Sequence, residues 1–178
     1  MAVTWIEPVK FTGPLNTWTD IDASPYVSNR ATGVILYAAD RSFARAAFGF
    51  RKNGSTDNRE QTITDFRHTW ALVGVDENQI FEAIAAHASI EFWLMGYTEE
   101  AVKFFTNGIL KTPAQAGIWM DVDISGDTSG DTANGAIVEI VGDTGPSGPS
   151  AWGIRKNGST DNRVHPTWYH GWGLVGVD

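Results

Sequence analysis

Apolar and polar positions alternate through most of this chain, which is the period of a strand rather than of a helix. In "TGVILYA" the residues Val34, Leu36 and Ala38 share one face, and the same alternation groups Ala136, Val138 and Ile140 further along. Phe48 and Phe50 in "FGF", and Trp152 and Ile154 in "WGI", likewise point one way before a polar stretch. Asn53-Gly54 and Asn157-Gly158 then give hairpin signals, because a type I′ turn needs positive φ at both central residues; "GSTDN" widens each turn. "TWALVGVD", "QIFEAIA" and "SIEFWLMGYT" supply further strands. The alanines and isoleucines of "IFEAIAAHA" are compatible with a helix. Turn residues hem the segment in, however, and the aromatic "IEFWLMGY" beside it needs a partner, so a strand is expected. The pattern predicts six or seven strands in about 100 residues, the spacing of an antiparallel sandwich.

The pattern recurs because the sequence does. "RKNGSTDNR" stands at Arg51–Arg59 and again at Arg155–Arg163. Around it, "WTDIDAS" (18–24) answers "WMDVDIS" (119–125), "ATGVILYAA" (31–39) answers "ANGAIVEIV" (133–141), and "HTWALVGVD" (68–76) answers "HGWGLVGVD" (170–178). "VKF" at Val9 also recurs at Val102. Four blocks in one order, offset by 101 to 104 residues, mark a tandem duplication. The offset changes only between blocks, where "YVSNR" faces "GDTSGDT" and "RSFARAA" faces "GDTGPSGPS", so length differences are confined to loops. The expected fold is all-β, two tandem antiparallel β-sandwich modules of jelly-roll-like type, residues 1–98 and 99–178. The second is expected to lack its last two strands, because copy one runs on from "LVGVD" through Glu77–Thr98 whereas copy two stops at Asp178. An unpaired strand edge exposes N–H and C=O groups, so assembly is expected to cover it.

Composition narrows the partners. With 178 residues, 42% hydrophobic and 12% aromatic, there is ample material for a core. A net charge of -8, with only 13 Lys and Arg spread thinly, argues against nucleic acid, whose phosphates need clustered cations. The absence of cysteine excludes disulfides, thiolate chemistry and Cys-based zinc sites. "MAVTWIEPVK" lacks the basic and apolar regions of a signal peptide, and no apolar run approaches the ~18–20 residues of a membrane span. Cytoplasmic synthesis without membrane insertion is therefore expected.

The candidate chemistry is sparse. In the Trp-x-Asp-x-Asp-x-Ser segments, alternation puts Ile21 and Ala23, or Met120, Val122 and Ile124, on the buried face. Trp18, Asp20, Asp22 and their counterparts Trp119, Asp121 and Asp123 are left as ligand or interface candidates, beside the plainer reading of a solvated edge strand. "DVDISGDTSGDT" opens like a calcium loop, but Thr132 stands where the bidentate Glu belongs and Pro25 replaces the glycine in copy one. A looser Ca²⁺ site on Asp127 and Asp131 is the weaker alternative to a solvated acidic loop. His68 and His170 occupy equivalent places without a paired-ligand motif and read as structural hydrogen-bonders. No phosphate loop, nucleophile elbow or dinucleotide fingerprint is present, so neither an enzyme nor a cofactor is expected. In the repeated loop, Asn53, Gly54, Asn157 and Gly158 meet turn requirements. Arg51, Lys52, Asp57 and Arg59, with Arg155, Lys156, Asp161 and Arg163, alternate in sign and either pair across the turn or grip a neighbouring subunit.

The order "WxDxD…ATGVIL…GFRKNGSTD…HTWALVGVD…IFEA…IEFWLMGYT" resembles a β-sandwich module of tailed-phage and virus-like structural proteins, found in fibres, head decorations and other virion appendages. "RKNGSTD" and "LVGVD" are its distinctive parts, and the resemblance covers nearly all of copy one and about three quarters of copy two. It implies a non-enzymatic subunit on a virion surface, made in the host cytoplasm, whose partners are copies of itself, often as trimers, and other virion proteins. A carbohydrate-binding module reading a host-surface glycan through Trp18 and Trp119 is the alternative. A filament subunit completed by strands of the next protomer is another.

Overall fold

The computed structural model describes residues 3–42, 46–63, 67–128, 132–141, 150–167 and 170–178. Its described residues are all-β apart from one 3-10 turn at Ser125–Asp127, and the chain divides into two units, Met1–Asn107 and Gly108–Asp178.

The first unit is a β-sandwich of two four-stranded antiparallel sheets. One sheet runs in the order β1 (Val3–Thr12), β8 (Ile90–Glu99), β3 (Ala31–Asp40), β6 (His68–Gly74). The other runs β2 (Thr19–Asp22), β7 (Ile80–Ala85), β4 (Ala46–Lys52), β5 (Gln61–Ile63). The alternation seen in the sequence fills the space between them: Val34, Leu36 and Ala38 of β3 are buried with Phe48 and Phe50 of β4, Phe81 of β7, and Phe92 and Leu94 of β8. The rings of Phe50 and Phe92 lie 4.7 Å apart, and Phe48 is 5.7 Å from Phe92. Ile80–Ala85 is a strand because β2 and β4 pair with it on either side.

The second unit repeats part of this plan with the same register. β9 (Gly135–Val141) pairs with β12 (His170–Gly176), setting Gly135 opposite Gly176 as Gly33 stands opposite Gly74. β10 (Ser150–Trp152) pairs with β11 (His165–Thr167), setting Trp152 opposite His165 as Phe48 stands opposite Gln61. In the first unit β7 lies between β2 and β4, and β8 between β1 and β3; residues 108–178 contain no counterpart of either. Among its described residues the second unit accordingly forms two separate two-stranded sheets.

That absence explains a departure from the sequence pattern. Residues 119–124, the counterpart of β2, form no strand, and Met120 and Val122 are 38% and 46% exposed instead of buried. β2 has β7 as its sole neighbour in its sheet, so its counterpart has nothing to pair with. The counterpart of "VKF" in β1 also lacks its partner strand. It stays with the first unit, where Val102 is buried. Among the described residues of 108–178, no side chain reaches the burial of the first unit's core.

Candidate functional site

The repeated loop is built around one arginine. Arg51 lies near the end of β4, directly opposite Glu82 of β7, and its Nε and Nη2 donate to the two Glu82 carboxylate oxygens at 2.7 and 3.0 Å. Its Nη1 donates to the Asp57 carbonyl at 2.7 Å, drawing the loop back on itself. Trp18 closes the clasp: its ring centre is 4.3 Å from the guanidinium carbon, and its indole N–H donates to Asn58 Oδ1 at 2.8 Å. Gly49 is required here, because a Cβ at that position would lie 2.6 Å from the Trp18 ring. Arg59 pairs with Asp57 at 2.9 Å, so the alternating charges do meet within the loop.

The turn differs from the hairpin geometry expected. Ser55 N–H donates to the Lys52 carbonyl at 3.0 Å, and of the two central residues only Gly54 has positive φ, at 76°. This is the requirement of a type II turn rather than type I′. The wider loop needs no tight hairpin twist, because β5 rejoins β4 only at Phe48↔Gln61. Asn53 instead turns its amide to Asp76 Oδ2 at 2.7 Å, while the N–H groups of Asn78 and Ile80 donate to Asp76 Oδ1. Burial pushes the Asp76 carboxyl up, but those three donors and the charge of Lys52 together hold it below the usual carboxylate range.

The second unit rebuilds the clasp. The Arg155 guanidinium lies 4.2 Å from the Trp119 ring centre, Arg155 Nη1 donates to the Asp161 carbonyl at 2.6 Å, and Trp119 donates to Asn162 at 2.7 Å. Arg163 pairs with Asp161 at 2.6 Å, and Gly158 carries positive φ after Asn157, as in the first turn. One partner is missing: among the described residues no carboxylate takes the place of Glu82 beside Arg155.

The remaining sequence candidates fall into local roles. Trp18 and Trp119 each have a guanidinium over the ring and a glycine against the edge. Asp20 and Asp121 are exposed. Asp22 and Asp123 accept from the N–H groups of Ser24 and Ser125 at 2.8 Å. The Ser125 N–H, its hydroxyl and the charge of Lys111 hold Asp123 below the usual range. Asp127 is ion-paired to Lys111 at 2.6 Å, and Asp131 lies outside the described residues. Among the described residues no three His, Asp or Glu side chains gather as a metal site. His68 is exposed and stacks on Tyr37 at 5.3 Å; the side chain of His170 lies outside what is described.

Two features escaped the sequence pattern. The first is an exposed aromatic cluster in which Trp5 and Trp70, 63% and 42% exposed, meet edge to face at 6.3 Å with Tyr37 against Trp70. The second is the segment 102–107, which packs on the first unit. Phe104 covers the paired glycines Gly33 and Gly74, and Asn107 Oδ1 accepts from Ser55 Oγ and Thr56 N–H, each at 2.9 Å. Two glycines facing each other in neighbouring strands were the available signal, since such a pair marks close approach of another group.

No family model matches this chain, and no curated protein matches its sequence. Among the described residues, no helix is long and apolar enough to cross a membrane.

Proposed function

We propose that this chain is a non-enzymatic structural subunit of a virion surface, a decoration, fibre or appendage protein that assembles with copies of itself through its second unit. The observation that carries this reading is the open state of residues 108–178. Among the described residues of 108–178, β9 pairs only with β12 and β10 only with β11, and apolar side chains such as Leu110, Ile118 and Leu174 are 89%, 58% and 53% exposed. Open strand edges and exposed apolar side chains favour pairing with another chain. The virion setting comes from the resemblance carried by "RKNGSTD" and "LVGVD". We also infer that the first unit is a jelly roll: the sheet orders 1-8-3-6 and 2-7-4-5 support two interleaved Greek keys.

Light scattering across a dilution series tests the assembly. A trimer or other closed oligomer that persists on dilution is the expected result; a monomer at every concentration would sink the reading.

A further inference from the structure

The two sheets of the first unit end in four edge strands, and these are not alike. β1 carries Glu7, Pro8 and Lys10 and loses register between Trp5 and Val9; β2 is four residues long and holds two aspartates; β5 is three residues long. Short length, charge, proline and bulges all keep a sheet edge from pairing with a further strand. β6 has none of these. Its "HTWALVG" runs for seven residues in unbroken register with β3, without proline and, apart from His68, without an ionisable side chain.

The ladder between β3 and β6 decides which backbone groups are spare. At its two ends Asp40 N–H donates to the Arg67 carbonyl and Val75 N–H to the Thr32 carbonyl, each at 3.0 Å. Hydrogen-bonded pairs alternate along an antiparallel ladder, so Thr69, Ala71 and Val73 also turn their N–H and C=O toward β3. His68, Trp70, Leu72 and Gly74 turn theirs away. Gly74 lies beneath Phe104 and the Lys52 stem. Among the described residues, the outward groups of His68, Trp70 and Leu72 meet a single long contact, 3.5 Å from the Thr69 hydroxyl to the Trp70 carbonyl. The same stretch presents an aromatic side chain to water: Trp70 is 42% exposed, with Trp5 edge to face beside it.

We infer that β6 is a strand-pairing interface for a second copy of this chain, joined antiparallel across a twofold axis at Trp70. The spare groups are spaced evenly about Trp70. In this register Trp70 pairs with Trp70 of the partner subunit and His68 with the partner's Leu72, each pair exchanging both backbone hydrogen bonds. A like chain suits the seam because Thr69 to Gly74 carry no charge, so no like charges face each other across it. The pairing also brings the two Trp5–Trp70 clusters together on one outer face and takes them from water. Twofold pairing uses the edge up, which gives a closed dimer and no open fibre. The contact lies in the first unit, so it goes beyond assembly through the second and does not depend on it.

The chain has no cysteine, so single cysteines report the register directly. Full-length chains carrying Trp70→Cys, His68→Cys or Leu72→Cys are oxidised in air and run on a gel without reductant. Facing residues of a hydrogen-bonded pair have Cα atoms about 5.5 Å apart, within disulfide reach, whereas residues offset by four places lie roughly 13 Å apart, beyond it. Trp70→Cys alone should therefore run mostly as a cross-linked dimer. His68→Cys and Leu72→Cys should each run as monomers, and their equimolar mixture as a dimer. The mixture keeps Trp70 in place, so it tests the pairing without the loss of that ring. Cross-linking by none of the variants, by all three alike, or by Trp70→Cys but not by the mixture would each overturn the inference. Oligomers seen by light scattering without these cross-links would overturn it and leave assembly through the second unit standing; cross-linked dimers and nothing larger would do the reverse.

Discussion

Arg51 ties β4, β7, the repeated loop and Trp18 together. Its side chain and that of Glu82 are 16% and 13% exposed, so their two hydrogen bonds are shielded from water and salt more than a surface pair would be. Glu82→Gln should cost about 2–4 kcal/mol in urea unfolding, because it leaves a partly buried guanidinium short of its counter-charge. Trp18→Ala should cost a similar ~2–4 kcal/mol, removing ring packing, the cation contact and the bond to Asn58 together. The glycines give a sharper contrast. Gly74→Ala drives a methyl into Phe104 and should destabilise the first unit by about 1–3 kcal/mol, whereas Gly176→Ala should lie within ~0.5 kcal/mol of the parent by the same denaturation measurement.

At the scale of elements, carboxylates tie strands and turns to one another. Asp76 anchors the β6–β7 turn to the repeated loop. Glu91 of β8 is held below the usual range by hydrogen bonds from Lys10 and then Arg41, and Glu99 by the Ser28 hydroxyl and then Arg30. Each folded pKa is depressed relative to the unfolded chain, so each contribution is fully present above the unfolded values of about 3.9 for Asp and 4.3 for Glu. It is lost as pH falls through the folded values. The thermal midpoint, followed by circular dichroism, should therefore hold above about pH 5 and drop as the pH is lowered toward 3. Asp76→Asn should flatten part of that slope.

For the whole molecule, the two units should differ in autonomy. The first has a closed core; the second has two separate ribbons of two strands, a size that is marginal in water without a further layer. Residues 1–107 alone should give a cooperative thermal transition, and residues 1–98, which lack Phe104 and Asn107, a lower midpoint. Residues 108–178 alone should show a broad, weakly cooperative transition.

Much of this was legible in the chain itself. Alternation at Val34, Leu36 and Ala38 and at Phe48 and Phe50 placed strands and their buried faces, because period 2 reports which side of a strand meets the core. The duplication is also a fact of sequence, and identical blocks pair in identical register. The turn type was not legible, because Asn-Gly satisfies more than one turn, and the bond from Asn53 to Asp76 arises between residues distant along the chain. Nor were the roles of Trp18 and Phe104: an aromatic residue beside acids or lysine looks the same whether its ring faces solvent or lies on a glycine. The sequence by itself determined the strands, their buried faces and the repeat, since each depends on neighbours a few residues away. Only the tertiary structure decided which tryptophan is covered, which strands lose their partners and where residues 102–107 dock, because each depends on what lies alongside in space.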